Sequence, residues 1–168
     1  KIPKSHLKSK EALIVYTPAI SNEHRQLNFF QQNNFEVLKR SEVLGLITRF
    51  NKALCVAGTH GKTTTSAMLA HVLLQTEFKC SAFLGGISSN LNSNVAISNN
   101  SEWTVVEADE YDRSFLHLSP YSSIITAMDP DHLDIYGDER QFNEGFQQYA
   151  MKIDPNGWCI VKEGIKLH

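Results

Sequence analysis

The sequence predicts an α/β fold, a P-loop-containing three-layer sandwich in which a mostly parallel sheet lies between helices. Short apolar runs typical of buried parallel strands alternate with helical patterns along most of the 168 residues. One apolar run leads directly into a glycine-rich turn and then a helix, the arrangement of a phosphate-binding loop. The alternation restarts near residues 50–52, which predicts a boundary between a domain at 1–50 and a domain at 51–168.

Each predicted element follows from local pattern. Residues 1–50 have a strand–helix–strand–helix pattern: a strand at 12–16, a helix capped by Ser21 or Asn22 and ending near Phe30, a weak strand at 35–38 and a helix at 42–50. Residues 51–168 have predicted strands at 53–57, 80–84, 103–107, 123–126 and 158–161, a helix from the glycine-rich turn to about Gln75, and an amphipathic helix at 140–151. The Ser- and Asn-rich stretch 87–101 is predicted to be a loop or an irregular edge.

Composition excludes several classes of protein. Sixteen Lys and Arg against 18 Asp and Glu give a net charge of -2, without the basic footprint of a dedicated nucleic-acid binder. No stretch approaches the ~20 apolar residues of a membrane span. Three widely spaced cysteines are typical of free thiols in a reducing compartment. We therefore expect a cytoplasmic protein without nucleic-acid or membrane partners, and the initial Lys indicates a start within a longer protein.

The strongest local signal is the turn Gly-Thr-His-Gly-Lys-Thr-Thr between a predicted strand and a predicted helix. Its glycines let the backbone fold around an anion, and the helix N-terminus directs positive charge at that anion. A lysine adds a mobile cation, and the next hydroxyl can hold Mg²⁺. Val56 stands where the full motif has its first glycine, so a plain strand–turn–helix is the alternative. The candidate nucleotide-binding residues are Gly58, Thr59, His60, Gly61, Lys62, Thr63 and Thr64.

Carboxylates follow the strand at 103–107, and an acid here can reach the metal of a nucleotide bound beside it. Glu107 closes the apolar run and is the best placed metal ligand. Asp109, Glu110 and Asp112 follow it, and a solvated acidic loop is an equal alternative for Glu110 and Asp112.

A third candidate site is Asp-Pro-Asp-His-Leu-Asp at 129–134, directly after the strand at 123–126. Loops at the carboxyl ends of parallel strands are where open α/β sheets bind ligands. We favour a metal or phosphate role for His132, and a structural histidine is the alternative.

These three elements resemble the central domain of the Mur ligases, the ATP-dependent amino-acid-adding enzymes of peptidoglycan synthesis. The resemblance rests on Gly-Thr-His-Gly-Lys-Thr-Thr-Thr at 58–65, Glu-Ala-Asp-Glu-Tyr-Asp-Arg-Ser-Phe-Leu-His-Leu at 107–118 and Asp-His-Leu-Asp-Ile-Tyr-Gly at 131–137. His60 resembles the alanine-adding and muropeptide-recycling branches rather than the branches that add later residues. The absence of a basic insertion at 114–118 resembles the alanine-adding branch rather than the recycling branch. Ala127 departs from the family, which commonly has Asn there.

The resemblance implies the domains, ligands and chemistry. Residues 1–50 resemble the end of the UDP-substrate-binding, Rossmann-like domain, and 51–168 resemble most of the ATP-binding domain; the family's C-terminal domain is absent from this sequence. The implied reaction joins L-alanine to UDP-N-acetylmuramate through an acyl phosphate, with ATP and Mg²⁺. The implied catalytic residues are Lys62, Glu107 and His132. The implied metal ligands are Thr63, Glu107 and His132, and the weaker implied substrate contacts are Asp109, Glu110 and Asp112. The alternatives are a muropeptide-recycling or folylpolyglutamate synthase-like ligase, or a nucleotide-binding module without turnover.

Overall fold

The computed structural model describes residues 11–21, 23–130 and 136–167. The chain divides into two compact units, one ending at Leu44 and the other beginning at Gly45. The division lies six residues before the predicted boundary at 50/51, within a helix rather than after it.

The first unit contains a parallel βαβ arrangement. It comprises β1 (Ile14–Tyr16), α1 (Arg25–Gln32), β2 (Val37–Lys39) and the first turn of α2 (Arg40–Phe50). Ile14 of β1 pairs with Val37 of β2. His24, not the predicted Ser21, caps α1, because the helix begins at Arg25 and Nδ1 of His24 accepts a hydrogen bond from the Leu27 amide at 3.4 Å. The other predicted cap, Asn22, lies outside the described residues.

Local packing explains why the second unit begins within α2. A side chain at Gly45 would collide with the backbone carbonyl of His117, so only glycine fits against that segment. One turn later, the buried Thr48 hydroxyl accepts a hydrogen bond from the Ser119 amide at 3.0 Å. The end of α2 therefore belongs with the residues that follow it, which apolar periodicity does not indicate.

The second unit is built on a six-stranded sheet, and the predicted mostly parallel α/β class is confirmed. The strand order is β5-β4-β6-β3-β7-β8, and every neighbouring pair is parallel except the antiparallel pair β4–β5. The strands are β3 (Lys52–Ala57), β4 (Ser81–Ser88), β5 (Ser93–Ala96), β6 (Trp103–Glu107), β7 (Pro120–Ile125) and β8 (Cys159–Val161).

Helices cover both faces of this sheet. Leu54 of β3 packs in a cluster with Ala70 of α3 (Lys62–Leu74), together with Ala82 and Val105 of the neighbouring strands. The next residue, Cys55, faces the opposite side. There Ser123 of β7 donates a hydrogen bond to the Cys55 carbonyl at 3.1 Å and lies 2.8 Å from the hydroxyl of Tyr149 of α4 (Glu139–Ala150). The three-layer prediction is therefore confirmed.

Two further segments complete the second unit. The stretch 87–101, predicted to be a loop or an irregular edge, contains an irregular edge: β5 pairs antiparallel with an extended β4, and the register shifts between Phe83 and Ser88. A 3-10 segment, Tyr111–His117, follows β6 and contains two residues in the left-handed region, Asp112 (φ 50°) and Arg113 (φ 53°). It packs its buried Phe115 ring on Tyr149 at 4.8 Å between centroids.

Candidate functional site

The predicted phosphate loop lies at the carboxyl end of β3, in the middle of the sheet, and connects it to α3. Gly58 (φ 129°) and Gly61 (φ 79°) both adopt conformations that favour glycine. A side chain at Gly58 would also collide with the Thr126 hydroxyl and the Ala127 backbone. Gly61 is the N-cap residue of α3, whose first N–H groups have no intrahelical acceptors and are available to an anion.

Residues that directly follow β7 fix the conformation of the phosphate loop through hydrogen bonds. The Thr59 amide donates to the carbonyl of Ala127 at 3.1 Å, and the Thr126 hydroxyl donates to the carbonyl of His60 at 2.5 Å. The Thr59 hydroxyl accepts a hydrogen bond from the Asp129 amide at 3.2 Å. Ala127 thus contributes through its backbone at the position where the family commonly has Asn.

Lys62 is folded over its own loop. Its ammonium group donates to the carbonyl of Gly58 at 2.7 Å and to Oε1 of Glu110 at 3.0 Å, and it lies 2.8 Å from Oε2 of Glu110. The lysine side chain is 15% exposed and the glutamate side chain 2% exposed. Screening by water is weak at such exposure, so the two charges attract each other strongly.

Glu110 is therefore not part of a solvated acidic loop, and that alternative is wrong for this residue. Its backbone carbonyl accepts hydrogen bonds from the hydroxyl of the buried Tyr136 at 2.6 Å and from the Arg113 amide at 3.0 Å. Burial raises the pKa of Tyr136 to about 12, with the negative charge of Glu110 as the next cause, so this phenol remains a donor at neutral pH. Oε2 of Glu110 is buried, and its partner within the described residues is the Lys62 ammonium at 2.8 Å, an ion-pair contact without hydrogen-bond geometry.

Glu107 lies at the end of β6, beside the start of α3. Its Oε1 accepts a hydrogen bond from the Thr63 hydroxyl at 2.9 Å, and its Oε2 accepts one from the Gly85 amide at 2.7 Å. A side chain at Gly85 would collide with this carboxylate. The result is a pair of oxygen donors, one hydroxyl and one carboxylate, next to the phosphate loop, which is the donor type that Mg²⁺ prefers.

The remaining candidates are more exposed or lie outside the described residues. Both His60 and Thr64 are exposed, and Nε2 of His60 lies 3.9 Å from Oδ2 of Asp129. Asp109 is exposed and accepts a hydrogen bond from the Tyr111 amide, and Asp112 is also exposed. His132 lies outside the described residues, and within the described ranges no three His, Cys, Asp or Glu side chains cluster closely enough to hold a metal ion.

Sequence reasoning missed the supporting residues Thr126, Tyr136 and Gly85. Tyr136 lies inside the quoted stretch 131–137, but one aromatic residue among aspartates carries no sign of its partner, the Glu110 carbonyl 26 residues away. The pair Gly85-Gly86 at the end of an apolar strand was a usable signal, because glycine in a strand often marks a close approach.

A cavity of about 400 Å³ adjoins the site between α3 and the end of β4. Thr63 and Thr64 line it on the side of the phosphate loop, and Met68 and Ile87 line it further out. Met68 and Ile87 are 65% and 77% exposed, so the outer part of this cavity is an open apolar surface. No helix in the described ranges has the length and apolar character needed to span a membrane.

Comparison with known proteins agrees with this geometry. Residues 56–163 match the model of the Mur ligase middle domain. The UDP-N-acetylmuramate–L-alanine ligase of Phocaeicola vulgatus is 56% identical over 155 residues, which is 92% of this chain and 34% of that protein. The ligase of the same name from Porphyromonas gingivalis strain W83 is 52% identical over 97% of this chain and 36% of its own length.

Solved structures give the same result. The UDP-N-acetylmuramate-alanine ligase MurC from Thermotoga maritima has a TM-score of 0.79 at 28% identity and covers 99% of this chain and 39% of its own. The UDP-N-acetylmuramate:L-alanyl-gamma-D-glutamyl-meso-diaminopimelate ligase from Neisseria meningitidis has a TM-score of 0.78 at 23% identity, over 91% of this chain and 53% of its own, and shows the shared fold. The chain spans about a third of the length of its curated relatives. From the matched domain model, the chain belongs to the Mur ligase family.

Proposed function

We propose that this chain is the nucleotide-binding part of an ATP-dependent UDP-N-acetylmuramate–L-alanine ligase of peptidoglycan synthesis. The observation that carries the proposal is that Lys62, Thr63 and Glu107 lie together at the carboxyl end of the central strands, around a loop whose glycines have positive φ. A cation, a hydroxyl and a carboxylate at the N-terminus of a helix form a site for a metal-bound polyphosphate.

The choice of substrates is supported by the relatives. Curated proteins that are 52–56% identical over nearly all of this chain carry the name UDP-N-acetylmuramate–L-alanine ligase. His60 agrees with the alanine-adding and the recycling branches, and the absence of a basic insertion at 114–118 favours the alanine-adding branch. UDP-N-acetylmuramate and L-alanine are therefore the proposed substrates, and the cytoplasm, where such nucleotide-linked precursors and ATP occur together, is the proposed location.

In the proposed reaction, the γ-phosphoryl group of ATP moves to the carboxylate of UDP-N-acetylmuramate, giving an acyl phosphate and ADP. The amine of L-alanine attacks the acyl carbon, the amide bond forms, and phosphate leaves with the electrons of the broken C–O bond. Lys62 neutralises charge on the β- and γ-phosphates, and the N–H groups at the start of α3 orient them. The protein contributes mainly position and charge neutralisation in this mechanism.

The oxygen donors beside the loop fit Mg²⁺. Thr63 and Glu107 would hold it, and the Gly85 amide keeps the carboxylate of Glu107 turned toward Thr63. When bound, Mg²⁺ supplies further charge neutralisation to the polyphosphate. We propose His132 as the ligand of a second metal ion. The proposed nucleotide contacts also include His60, Thr59 and Thr64, and the proposed contacts of the sugar-nucleotide substrate are Asp109 and Asp112.

The test is phosphate release by the full-length protein that contains this sequence, supplied with ATP and Mg²⁺. Release that needs both UDP-N-acetylmuramate and L-alanine supports the proposal. Release that needs the L-alanyl-γ-D-glutamyl-diaminopimelate tripeptide or a folate instead of L-alanine would support the recycling or folate ligase. Nucleotide binding with none of these turnovers would support the nucleotide-binding module.

A further inference from the structure

The ammonium group of Lys62 already has an anionic partner in the structure. Both carboxylate oxygens of Glu110 lie within 3.0 Å of it, and the carbonyl of Gly58 accepts a third contact at 2.7 Å. An ammonium has three protons to donate, so these contacts occupy most of its capacity. A phosphate group that binds Lys62 must therefore share this cation with Glu110 or take it over.

Glu110 is held in place from the backbone. Tyr136 and Arg113 both bond its carbonyl oxygen, at 2.6 and 3.0 Å, and the residue itself is 1% exposed. A carboxylate fixed in this way has little access to water. The carboxylate therefore stays beside the loop, next to the Lys62 ammonium. A buried carboxylate also has no surface with which to contact a sugar-nucleotide substrate, in contrast to the exposed Asp109 and Asp112.

We infer that Glu110 is a further residue of the polyphosphate site: it is the internal counter-ion of Lys62 and weakens the affinity of the loop for phosphate groups. The inference rests on the proposed function, because it assumes that the 58–64 loop binds a polyphosphate. The Lys62–Glu110 pair has zero net charge, so an incoming phosphate is attracted by one partner and repelled by the other at similar distances. Removing the negative charge while keeping the shape of the side chain should therefore tighten polyphosphate binding.

Two effects oppose each other when Glu110 is neutralised. Lys62 becomes freer to rotate, and ordering its side chain on a phosphate again costs conformational entropy. Against this, a negative charge beside the loop repels each of the several charges of a polyphosphate, in a site where screening by water is weak. The electrostatic effect is the larger one, and affinity should rise.

The experiment is calorimetric titration of inorganic tripolyphosphate and of Mg·ADP into the chain and its Glu110→Gln variant. We expect the dissociation constants of Glu110→Gln to be at least tenfold lower. Glu110→Asp, which keeps the charge, should stay within about threefold of the unchanged chain. Glu102→Gln is the matched control, because it removes the same charge from an exposed pair with Lys52 and should change neither constant.

The outcomes separate the two proposals. Binding to Glu110→Gln that is equal to or weaker than binding to the unchanged chain overturns the counter-ion role, provided that circular dichroism shows a folded variant. Should Glu110→Gln unfold, Glu110→Asp decides the question, since a tenfold tighter constant there contradicts a role that depends on charge. If the unchanged chain and all variants bind neither ligand, the polyphosphate site itself is wrong.

Discussion

Replacing Lys62 with alanine should destabilise the second unit as well as remove a phosphate contact. The substitution leaves the carboxylate of Glu110, 1% exposed, without its cation. Breaking a buried ion pair from one side costs about 3–5 kcal/mol. Because Lys62 is 15% exposed and water can enter its place, we expect the lower end, about 3 kcal/mol. For a chain of 168 residues this corresponds to a melting temperature lower by roughly 6–12 °C.

The assay is thermal unfolding followed by circular dichroism, combined with a double-mutant cycle. Lys62→Ala/Glu110→Gln should recover most of the lost stability, because no buried charge remains unpaired. Arg140→Ala, which breaks the exposed pair between Arg140 and Glu144, should leave the melting temperature almost unchanged. A Lys62→Ala variant as stable as the unchanged chain, or a double variant no more stable than the single one, would show that Lys62 does not balance a buried charge on Glu110.

Two other predictions concern the metal side of the site and the thiols. Gly85→Ala should weaken Mg²⁺-dependent nucleotide binding at least tenfold, because the added Cβ would displace the Glu107 carboxylate. Gly86→Ala is the control and should bind normally, since its Cβ would lie 3.4 Å from the nearest atom, an ordinary contact distance. Equal titration curves for the two variants would contradict the role of Glu107. A thiol reagent at pH 8 should modify the exposed Cys159 much faster than the buried Cys55, because burial raises the pKa of Cys55 from 9.0 to about 12, whereas the smaller rise in the pKa of Cys159 only slows its reaction. The folded state favours the neutral thiol of Cys55, so its contribution to the free energy of unfolding should be complete below pH 9 and be lost as the pH rises towards 12. Unfolding measured across this alkaline range tests the loss, and fast labelling of Cys55 in the folded protein would contradict its burial.

The sequence predicts well those features that depend on local pattern. The strand at 103–107 and the helix after the glycine-rich turn lie where apolar runs and turn residues indicate. Of the two alternatives for 87–101, the irregular edge is confirmed; Ser93–Ala96 has little β propensity, and its pairing with β4 supplies the stabilisation that local pattern does not indicate. The sheet register, which sets Val56 beside Glu107, brings together residues that are far apart in sequence.

The part of the site that was not predictable depends on burial. Three acidic residues, Asp109, Glu110 and Asp112, follow β6 closely, and their sequence pattern does not distinguish them. The 3-10 segment turns Glu110 inward to Lys62 and leaves the other two exposed, through two left-handed residues that no pattern indicates. The function of a carboxylate here is therefore decided by backbone conformation and by a tyrosine 26 residues away.

The central test is the affinity for Mg·ATP of this chain, of Glu110→Gln and of Lys62→Met/Glu110→Gln. The double variant removes the phosphate-binding cation without leaving a buried charge, so a loss of binding is not a loss of folding. We expect saturable, Mg²⁺-dependent binding near one nucleotide per chain, and at least a hundredfold weaker binding to the double variant than to Glu110→Gln, from which it differs only at residue 62. Equal affinity of the two variants would contradict the phosphate contact of Lys62, and no binding to the folded unchanged chain would contradict the nucleotide site.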